Sequence, residues 1–374
     1  MSHTLNIPMI DLPRIHQPYQ QELDAAILAV VHSGQYISGP VVHVFEHQVS
    51  SYLGAPVFGV GNGTDALQIV LMALGIGPGD EVIVPAFTYA ASAEVIGLLG
   101  ATAVWCDIEA QNYNVSADSI EALVTSKTKA IIAVHLYGQC ANIEAIEQAA
   151  HGIPIVEDAA QAFGAAFTSG KYKGQKAGTV GTFGTFSFFP TKSLGGLGDA
   201  GAICTKDAVL FQSAKSIAKH GQSSKYVHDT IGVNSRLDPI QAAALIVKLK
   251  YFDASINAKC AIANRYKEAL TGLSGIQLPI TIDYSTHVYH QYTVRVKDNR
   301  RTELALYLKN NGISTMVYYP MLLSDQQAYK HWDSHIELTQ ARTATEEVLS
   351  LPIDESLTLI EQQYIINAIL DFFS

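Results

Sequence analysis

APVFGVGNGTDALQIVLMALGIGPGDEVIVP, residues 55–85, decides the fold class of this 374-residue chain. It opens with the short strand-like run APVFGV and closes with a second one, DEVIVP. Between them lies TDALQIVLMALG, which is apolar almost all round and predicts a helix buried on several sides. The glycines at Gly75, Gly77 and Gly79 mark its end. A strand, a helix and a second strand in this order predict neighbouring parallel strands.

The same alternation continues towards the C-terminus. Five more strand-like runs follow, separated by helical stretches: TAVWCDI, KAIIAVHLYG, IPIVEDA, TFGTFSFF and AGAICT. Strands spaced by helices predict an α/β fold with a parallel, doubly wound sheet. After about residue 245 the pattern changes to a long helix, then strands near HQYTVRV and STMVYY with a helix between them. We therefore expect a large domain over residues 1–245 and a smaller α+β domain over 246–374.

Composition limits the classes of partner. The chain is 48% apolar and 16% charged, which is typical of a globular protein with a sizeable core. Its formal charge of −10, without a basic run, argues against nucleic acid as a partner. The N-terminal residues lack the pattern of a secretion signal, and no apolar stretch of membrane-spanning length follows. We expect a cytoplasmic protein without a membrane partner.

The cysteines and histidines do not show the spacing of metal ligands. No C-x-x-C pair occurs, and the cysteines are too far apart to indicate a disulfide framework. We therefore expect no metal, and interpret these side chains as parts of the core. The residues concerned are Cys106, Cys140, Cys204, Cys260, His135, His220 and His290.

A glycine-rich turn follows the first strand. GVGNGTDAL, residues 59–67, joins a strand to a helix, and in that setting backbone N–H groups can bind a phosphate. The dinucleotide pattern G-x-G-x-x-G is not met, because Thr64 stands where the third glycine belongs. A turn without a ligand remains an equal alternative.

Two further segments carry chemistry. In IVEDAAQAFGA, Glu157 and Asp158 end a strand, although Asp158 could equally cap a helix beginning at Ala159. In SFFPTKSLGG, residues 187–196, Lys192 lies on a glycine-rich loop, where a solvated lysine is the simpler interpretation. A Walker loop is excluded, because Thr191 replaces the glycine before the lysine. A phosphate turn, a strand-end carboxylate and a lysine together are the parts that hold pyridoxal phosphate.

The chain resembles, over nearly its whole length, the DegT/DnrJ/EryC1/StrS nucleotide-sugar aminotransferases. The resemblance rests on six motifs in order: GQYISGPVV, GNGTDALQI, PAFTYAASAEVI, EDAAQAFGA, SFFPTKSLGGLGDAGAI and GVNSRLDPIQAA. It implies fold type I of the pyridoxal phosphate enzymes, like aspartate aminotransferase. That fold has a large domain with a mostly parallel seven-stranded sheet and a smaller C-terminal domain.

The resemblance also implies a role for each site residue. Lys192 would form the Schiff base, and Asp158 would pair with the pyridine nitrogen. Gln161 would lie beside the ring hydroxyl and Tyr89 would stack on the ring. The phosphate would be held by Gly63, Thr64 and Ser187, and by Asn234 from the neighbouring subunit of a homodimer. Ordinary alternatives remain for four of them: a core aromatic for Tyr89, a surface helix residue for Gln161, and local turns for Ser187 and Asn234.

The activity implied is transamination, because relatives that dehydrate keto-sugars have histidine in place of Lys192. The donor would be L-glutamate, and the acceptor a UDP-linked 3-keto sugar, UDP-2-acetamido-2-deoxy-3-oxo-D-glucuronate, in lipopolysaccharide O-antigen biosynthesis. TDP-linked 3-keto-6-deoxyhexoses are the nearest competitor, and a non-catalytic sugar-nucleotide sensor is the alternative of another class. Arg236 or Lys171 could bind the uronate carboxylate, although Arg236 could equally bind the carboxylate of glutamate. Tyr318 and Tyr319 would line the sugar pocket, with Tyr318 where the uronate enzymes have histidine.

Overall fold

The computed structural model describes residues 5–374, and the helices and strands below are those of this part of the chain. The helices are α1, Leu12–His16; α2, Gln20–Ser33; α3, Pro40–Leu53; α4, Gly63–Ala73; α5, Ala91–Leu98; α6, Ala117–Glu121; α7, Ile143–Ala150; α8, Ala208–Ile217; α9, Pro239–Leu270; α10, Arg301–Asn310; α11, Thr339–Glu347; and α12, Leu359–Phe373. The strands are β1, Val57–Val60; β2, Glu81–Pro85; β3, Thr102–Cys106; β4, Thr128–Val134; β5, Ile155–Asp158; β6, Phe183–Ser187; β7, Gly201–Cys204; β8, Gln222–Ser224; β9, Val227–His228; β10, Ile276–Gln277; β11, Tyr292–Val296; and β12, Val348–Leu351.

Seven strands form the large sheet, in the order β1-β7-β6-β5-β4-β2-β3. β7 is antiparallel to both of its neighbours, β1 and β6, whereas the other pairs are parallel. Because β7 is antiparallel to both, β1 and β6 run in the same direction as the parallel strands. The predicted mostly parallel α/β sheet of seven strands is confirmed, and the carboxyl ends of six strands lie at one edge.

The sheet separates two hydrophobic cores. Ile83 and Ile131 belong to the core on one face, while their neighbours Val82 and Ile132 belong to the core on the other face. Strands covered on both faces are mainly apolar, which is why their sequences are nearly continuous apolar runs.

Helix α4 has clear sequence determinants at both ends. The Asn62 side chain caps it by accepting a hydrogen bond from the N–H of Asp65 at 2.7 Å. Gly75, just past its end, has a φ of +74°, which lies in the left-handed region. The predicted burial is confirmed, since five of its eleven residues are buried: Ala66, Leu67, Ile69, Val70 and Leu71.

The C-terminal part has a three-stranded sheet, in the order β10-β11-β12, with its own core. The strand near HQYTVRV and the helix after it are confirmed as β11 and α10. The prediction of a strand near STMVYY was wrong, because this segment forms no continuous strand and makes one isolated bridge, between Met316 and Ser350. Its other residues cross towards the large sheet, where Tyr318 and Tyr319 contact the second of the two large cores.

Helix α9 connects the two parts without a break. It contributes Leu245 and Phe252 to a core of the large sheet, and Ile262 and Tyr266 to the C-terminal core. The division at residue 245 stays a prediction, and the helix runs through it. No helix within residues 5–374 combines the length and the apolar character needed to cross a membrane.

Candidate active site

The carboxyl edge of the large sheet brings the predicted site segments together. The turn before α4 follows β1, the loop of Tyr89 follows β2, and Asp158 ends β5. Ser187 ends β6, and Lys192 lies on the loop that follows it. This is the edge at which open α/β sheets bind ligands.

The start of α4 lies against the end of β6. A Cβ placed on Gly63 would be 2.7 Å from the Cβ of Ser187, so only glycine allows this approach. The N–H of Asp65 is satisfied by Asn62, but those of Gly63 and Thr64 lie at the open end of the helix. Two N–H groups at a helix N-terminus beside a hydroxyl form a cradle suited to a phosphate.

Asp158 is buried and held by two hydrogen bonds. Its Oδ2 accepts from the hydroxyl of Ser92 at 2.9 Å, and its Oδ1 from the N–H of Ala160 at 3.2 Å. The residues that follow Asp158 form turns and not a helix, so the helix-cap alternative was wrong. Sequence reasoning missed Ser92, which lies 66 residues away and carries no local signal of this contact.

Lys192 lies on a tightly folded loop. The N–H of Gly196 donates to the carbonyl of Phe188 at 2.7 Å, and a Cβ on Gly196 would be 2.8 Å from Oε1 of Gln241. Burial lowers the pKa of Lys192 to about 8, against the opposing effect of the Asp158 charge. A lysine with this pKa has a substantial fraction of neutral, nucleophilic amine near neutral pH, unlike a solvated one.

Gln161 is buried beside Asp158 and is not a surface helix residue. Its Oε1 accepts a hydrogen bond from the main-chain N–H of Tyr137 at 2.8 Å. Its Nε2 donates to the hydroxyl of Tyr319 at 3.1 Å. The amide is therefore held from both sides at the edge of the sheet.

Three aromatic residues, Tyr89, Tyr319 and Phe87, lie close to one another beside Gln161. Tyr89 is 61% exposed, which excludes a core aromatic. Its ring centroid lies 6.4 Å from that of Tyr319, which in turn lies 5.9 Å from Phe87. An exposed ring in this position is available to stack on a planar ligand.

Glu157, which precedes Asp158 in β5, has a structural role. Its carboxylate accepts N–H groups from Gly178, Val180 and Gly181 at 2.7–2.9 Å, and the Nε2–H of His135 at 2.8 Å. His135 also accepts the N–H of Ala141 through Nδ1 at 2.8 Å, so it is a neutral, fully bonded core histidine. These bonds lower the pKa of Glu157, although burial opposes them.

The GVNSRLD loop is anchored to the glycine turn of its own chain. The Ser235 hydroxyl accepts from the N–H of Gly61 at 2.9 Å and donates to Asp65 at 2.6 Å. Asn234 is exposed and accepts a hydrogen bond from Arg236. Lys171 is bonded to Glu147 on α7 at 2.6 Å, so its charge is already matched.

His290 is a second residue whose place sequence reasoning missed. Its Nδ1 is buried and has no partner among residues 5–374, and the same holds for Oγ of Ser193, the neighbour of Lys192. Burial and then the positive charge of Lys192 hold the pKa of His290 well below its usual range. The described residues contain no cluster of side chains that could hold a metal ion.

These residues fit pyridoxal phosphate. The open N–H groups at Gly63 and Thr64 suit its phosphate, and the buried carboxylate of Asp158 suits its ring nitrogen. The amine of Lys192 suits its aldehyde. The unpartnered polar atoms of Ser193 and His290 are consistent with a polar group bound beside Lys192.

Comparison with known proteins points to the same chemistry. The model of the DegT/DnrJ/EryC1/StrS aminotransferase family matches residues 18–370. A UDP-2-acetamido-2-deoxy-3-oxo-D-glucuronate aminotransferase from Pseudomonas aeruginosa is 45% identical over 93% of this chain and 95% of its own. A pleiotropic regulatory protein from Geobacillus stearothermophilus is 42% identical over 99% of both chains. A dTDP-3-amino-3,4,6-trideoxy-alpha-D-glucose transaminase from Streptomyces venezuelae is 38% identical over 98% of this chain and 96% of its own.

A solved structure shares the whole fold. The S. venezuelae protein DesV, in complex with a ketimine intermediate, superposes with a TM-score of 0.94 at 38% identity. The superposition covers 99% of each chain.

Proposed function

We infer that this chain, which belongs to the DegT/DnrJ/EryC1/StrS aminotransferase family, is a pyridoxal-phosphate-dependent sugar nucleotide 3-aminotransferase. We propose that it moves an amino group from L-glutamate to C3 of UDP-2-acetamido-2-deoxy-3-oxo-D-glucuronate. The product would be an intermediate of bacterial surface polysaccharides such as the lipopolysaccharide O-antigen. The observation that carries the proposal is the 45% identity to the P. aeruginosa enzyme, which extends over nearly the whole length of both chains.

Each residue of the site has a distinct role in this proposal. Pyridoxal phosphate supplies an electron sink when it is bound. Lys192 would hold the cofactor through its neutral amine and, once released, would carry a proton at its Nζ. Asp158, oriented by the hydrogen bond from Ser92, would pair with the ring nitrogen. The cradle at Gly63 orients the phosphate end.

Two sugars compete as acceptors. The S. venezuelae relative, named for a dTDP sugar, is 38% identical, so the difference from the uronate relative is modest. A uronate carboxylate needs a cation, and Arg236 offers one: its main chain lies beside Gly61 of the glycine turn, and its guanidinium donates to the Asn234 side chain. A 6-deoxy sugar needs only apolar contact at that place.

A product assay separates the two sugars. The purified enzyme, with L-glutamate, receives UDP-2-acetamido-2-deoxy-3-oxo-D-glucuronate or a TDP-linked 3-keto-6-deoxyhexose in parallel reactions, followed by mass spectrometry. We expect amination of the UDP-linked uronate at a kcat/KM at least tenfold higher. Preference for the TDP-linked sugar would overturn the substrate proposal while leaving the transaminase activity intact.

The regulatory alternative is favoured by one observation, the name of the G. stearothermophilus relative. The presence of Lys192 argues against a purely sensory role, since a sensor needs no nucleophile. Colour is the simplest measurement: the protein with bound cofactor should absorb near the visible edge, and L-glutamate should bleach that band. A protein that stays colourless when pyridoxal phosphate is supplied would exclude the enzyme.

We also propose that the enzyme is a homodimer with shared active sites, in which Asn234 reaches the phosphate of the neighbouring subunit. The support is the exposure of Asn234, together with exposed apolar side chains around it, Tyr226, Val227 and Ile231. The rival arrangement is that Asn234 serves its own subunit, because Ser235 anchors this loop to its own chain's Gly61. A two-fold dimer would place two identical shared sites across one axis.

Complementation decides between these arrangements. Chains with Lys192→Ala are mixed with chains carrying Asn234→Ala and allowed to exchange. If Asn234 acts across the interface, a mixed dimer has both lesions in one site and a wild-type second site, so activity returns. No recovery despite proven subunit exchange would mean that Asn234 serves its own subunit or has no role at the site.

A further inference from the structure

The two hydrogen bonds of Gln161 determine which way its amide faces. A main-chain N–H can only donate, so the amide oxygen must face Tyr137, at 2.8 Å. The amide nitrogen therefore faces the opposite side, where it donates to the Tyr319 hydroxyl at 3.1 Å. The orientation follows from the contacts and leaves no freedom to exchange oxygen and nitrogen.

The amide nitrogen has two hydrogens, and Tyr319 accepts only one of them. The Gln161 side chain is 7% exposed, so the second N–H requires an acceptor within the site. Gln161 lies three residues after Asp158, the proposed partner of the ring nitrogen. The ring hydroxyl of pyridoxal phosphate is the group of suitable chemistry at this place.

We propose that Tyr319 is a positioning residue, which holds Gln161 so that its second N–H donates to the ring oxygen of pyridoxal phosphate. The inference rests on the proposed placement of the cofactor ring between Asp158 and Lys192, and does not depend on which sugar is aminated. It assigns to Tyr319 a role in the cofactor site in addition to the sugar pocket.

Tyr137 is one hydrogen-bond partner of Gln161 and also helps to hold the segment of the other, Tyr319. Tyr137 provides the main-chain N–H, and its hydroxyl donates to the carbonyl oxygen of Tyr318, next to Tyr319. The Tyr319 ring also packs edge-on against the buried Phe87, with an interplanar angle of 73°. Burial raises the pKa of Tyr319, so the phenol stays neutral and accepts the Gln161 N–H through its oxygen.

The chemical consequence is a change in the pH at which the Lys192 nitrogen of the bound cofactor loses its proton. In the bound cofactor the ring oxygen is negative and holds this proton by a hydrogen bond. A second donor on the same oxygen weakens that bond, so the proton leaves at a lower pH. Without the Tyr319 hydroxyl, Gln161 is held only through Tyr137 and donates to the ring oxygen less well.

The test uses Tyr319→Phe, which removes the hydroxyl and keeps the ring. The visible absorbance of the bound cofactor is titrated against pH, without amino donor or sugar. We expect the midpoint to rise by about half a unit to one unit, and pyridoxal phosphate to bind about two- to tenfold more weakly, as for the loss of one hydrogen bond. Tyr364→Phe is the matched control and should leave both quantities unchanged, because its hydroxyl donates to the carbonyl of Asn311 in the C-terminal part and makes no bond to Gln161.

Two further variants make the test independent of how well Tyr319→Phe folds. Gln161→Glu keeps an acceptor for Tyr137 and removes both N–H groups, so it should raise the midpoint at least as much. In a Gln161→Ala background, Tyr319→Phe should cause no further shift, because the tyrosine acts through the glutamine.

The outcomes separate this inference from the proposed function. An unchanged midpoint in folded Tyr319→Phe, or in Gln161→Glu, with wild-type absorbance present, overturns the inference alone. A full effect of Tyr319→Phe in the Gln161→Ala background also overturns it, since the tyrosine would then act on the cofactor directly. Wild-type protein without the absorbance band would instead contradict the cofactor site itself.

Discussion

Replacing Gly63 by alanine tests the proposed phosphate cradle. The new Cβ would lie 2.7 Å from the Cβ of Ser187 and 3.3 Å from its Cα. Because non-bonded carbon atoms meet at about 3.5 Å, the start of α4 and the end of β6 must separate by roughly 0.8 Å. The two N–H groups at the helix start would move with the backbone.

The expected effect on binding is larger than the effect on stability. Overpacking of this kind costs about 1–3 kcal/mol, and the better helix propensity of alanine offsets up to about 1 kcal/mol of it. A misdirected N–H to a charged phosphate costs about 1.5–3 kcal/mol, equivalent to about a ten- to hundredfold loss of affinity. We therefore expect a folded protein that binds pyridoxal phosphate poorly.

The assay compares Gly63→Ala with Gly77→Ala. The latter is a matched control, because a Cβ on Gly77 would meet no atom within 4 Å and its backbone is not left-handed. Affinity for pyridoxal phosphate is measured by absorbance titration of the apoprotein, and stability by urea unfolding. If folded Gly63→Ala bound the cofactor within twofold of Gly77→Ala, the phosphate would not lie at this turn.

Three further predictions concern neighbouring groups. Lys192→Ala should abolish turnover without loss of fold, and Asp158→Asn should be nearly as damaging, because an amide cannot hold the ring nitrogen's proton; near wild-type rates would contradict either role. Because the pKa of Lys192 is lowered to about 8, the rate at which apoprotein takes up pyridoxal phosphate should rise about tenfold per pH unit below 8 and level off above it, whereas a continued rise to pH 10 would indicate an ordinary lysine. Glu157→Gln should lower the free energy of unfolding by about 3–6 kcal/mol, since two charge-assisted hydrogen bonds are lost; because the Glu157 pKa is lowered on folding, the wild-type advantage should be complete above the ordinary glutamate pKa of 4.5 and shrink as the pH falls below it, and an advantage that did not shrink there would refute the assignment.

Local pattern was sufficient for the elements of the fold. The seven strand segments of the large sheet were predicted because strands covered on both faces are mainly apolar along their length. Helix α4 was predicted because its cap, its apolar body and its terminal glycines are adjacent in the chain. The glycine turn and the Lys192 loop were visible for the same reason, as each is a short segment with an unusual composition.

Side chains that act on one another across the chain were not predictable in this way. Ser92 reaches Asp158 over 66 residues, and Tyr319 reaches Gln161 over 158 residues. Neither contact leaves a periodicity or a spacing in the sequence, because each depends on which loops the sheet places side by side. The direction of β7 was undetermined for a related reason, since a short apolar run is compatible with either direction.

The sequence by itself determined the segments, the chemical groups and, by resemblance, the family. The tertiary structure decided which segments lie side by side. The residues after Asp158 form turns and do not begin a helix, and STMVYY lies beside the site and does not form a strand. The physical reason is that secondary structure responds to the burial and backbone preference of adjacent residues. The orientation of Gln161 responds instead to donors and acceptors that only the folded sheet brings within hydrogen-bonding distance.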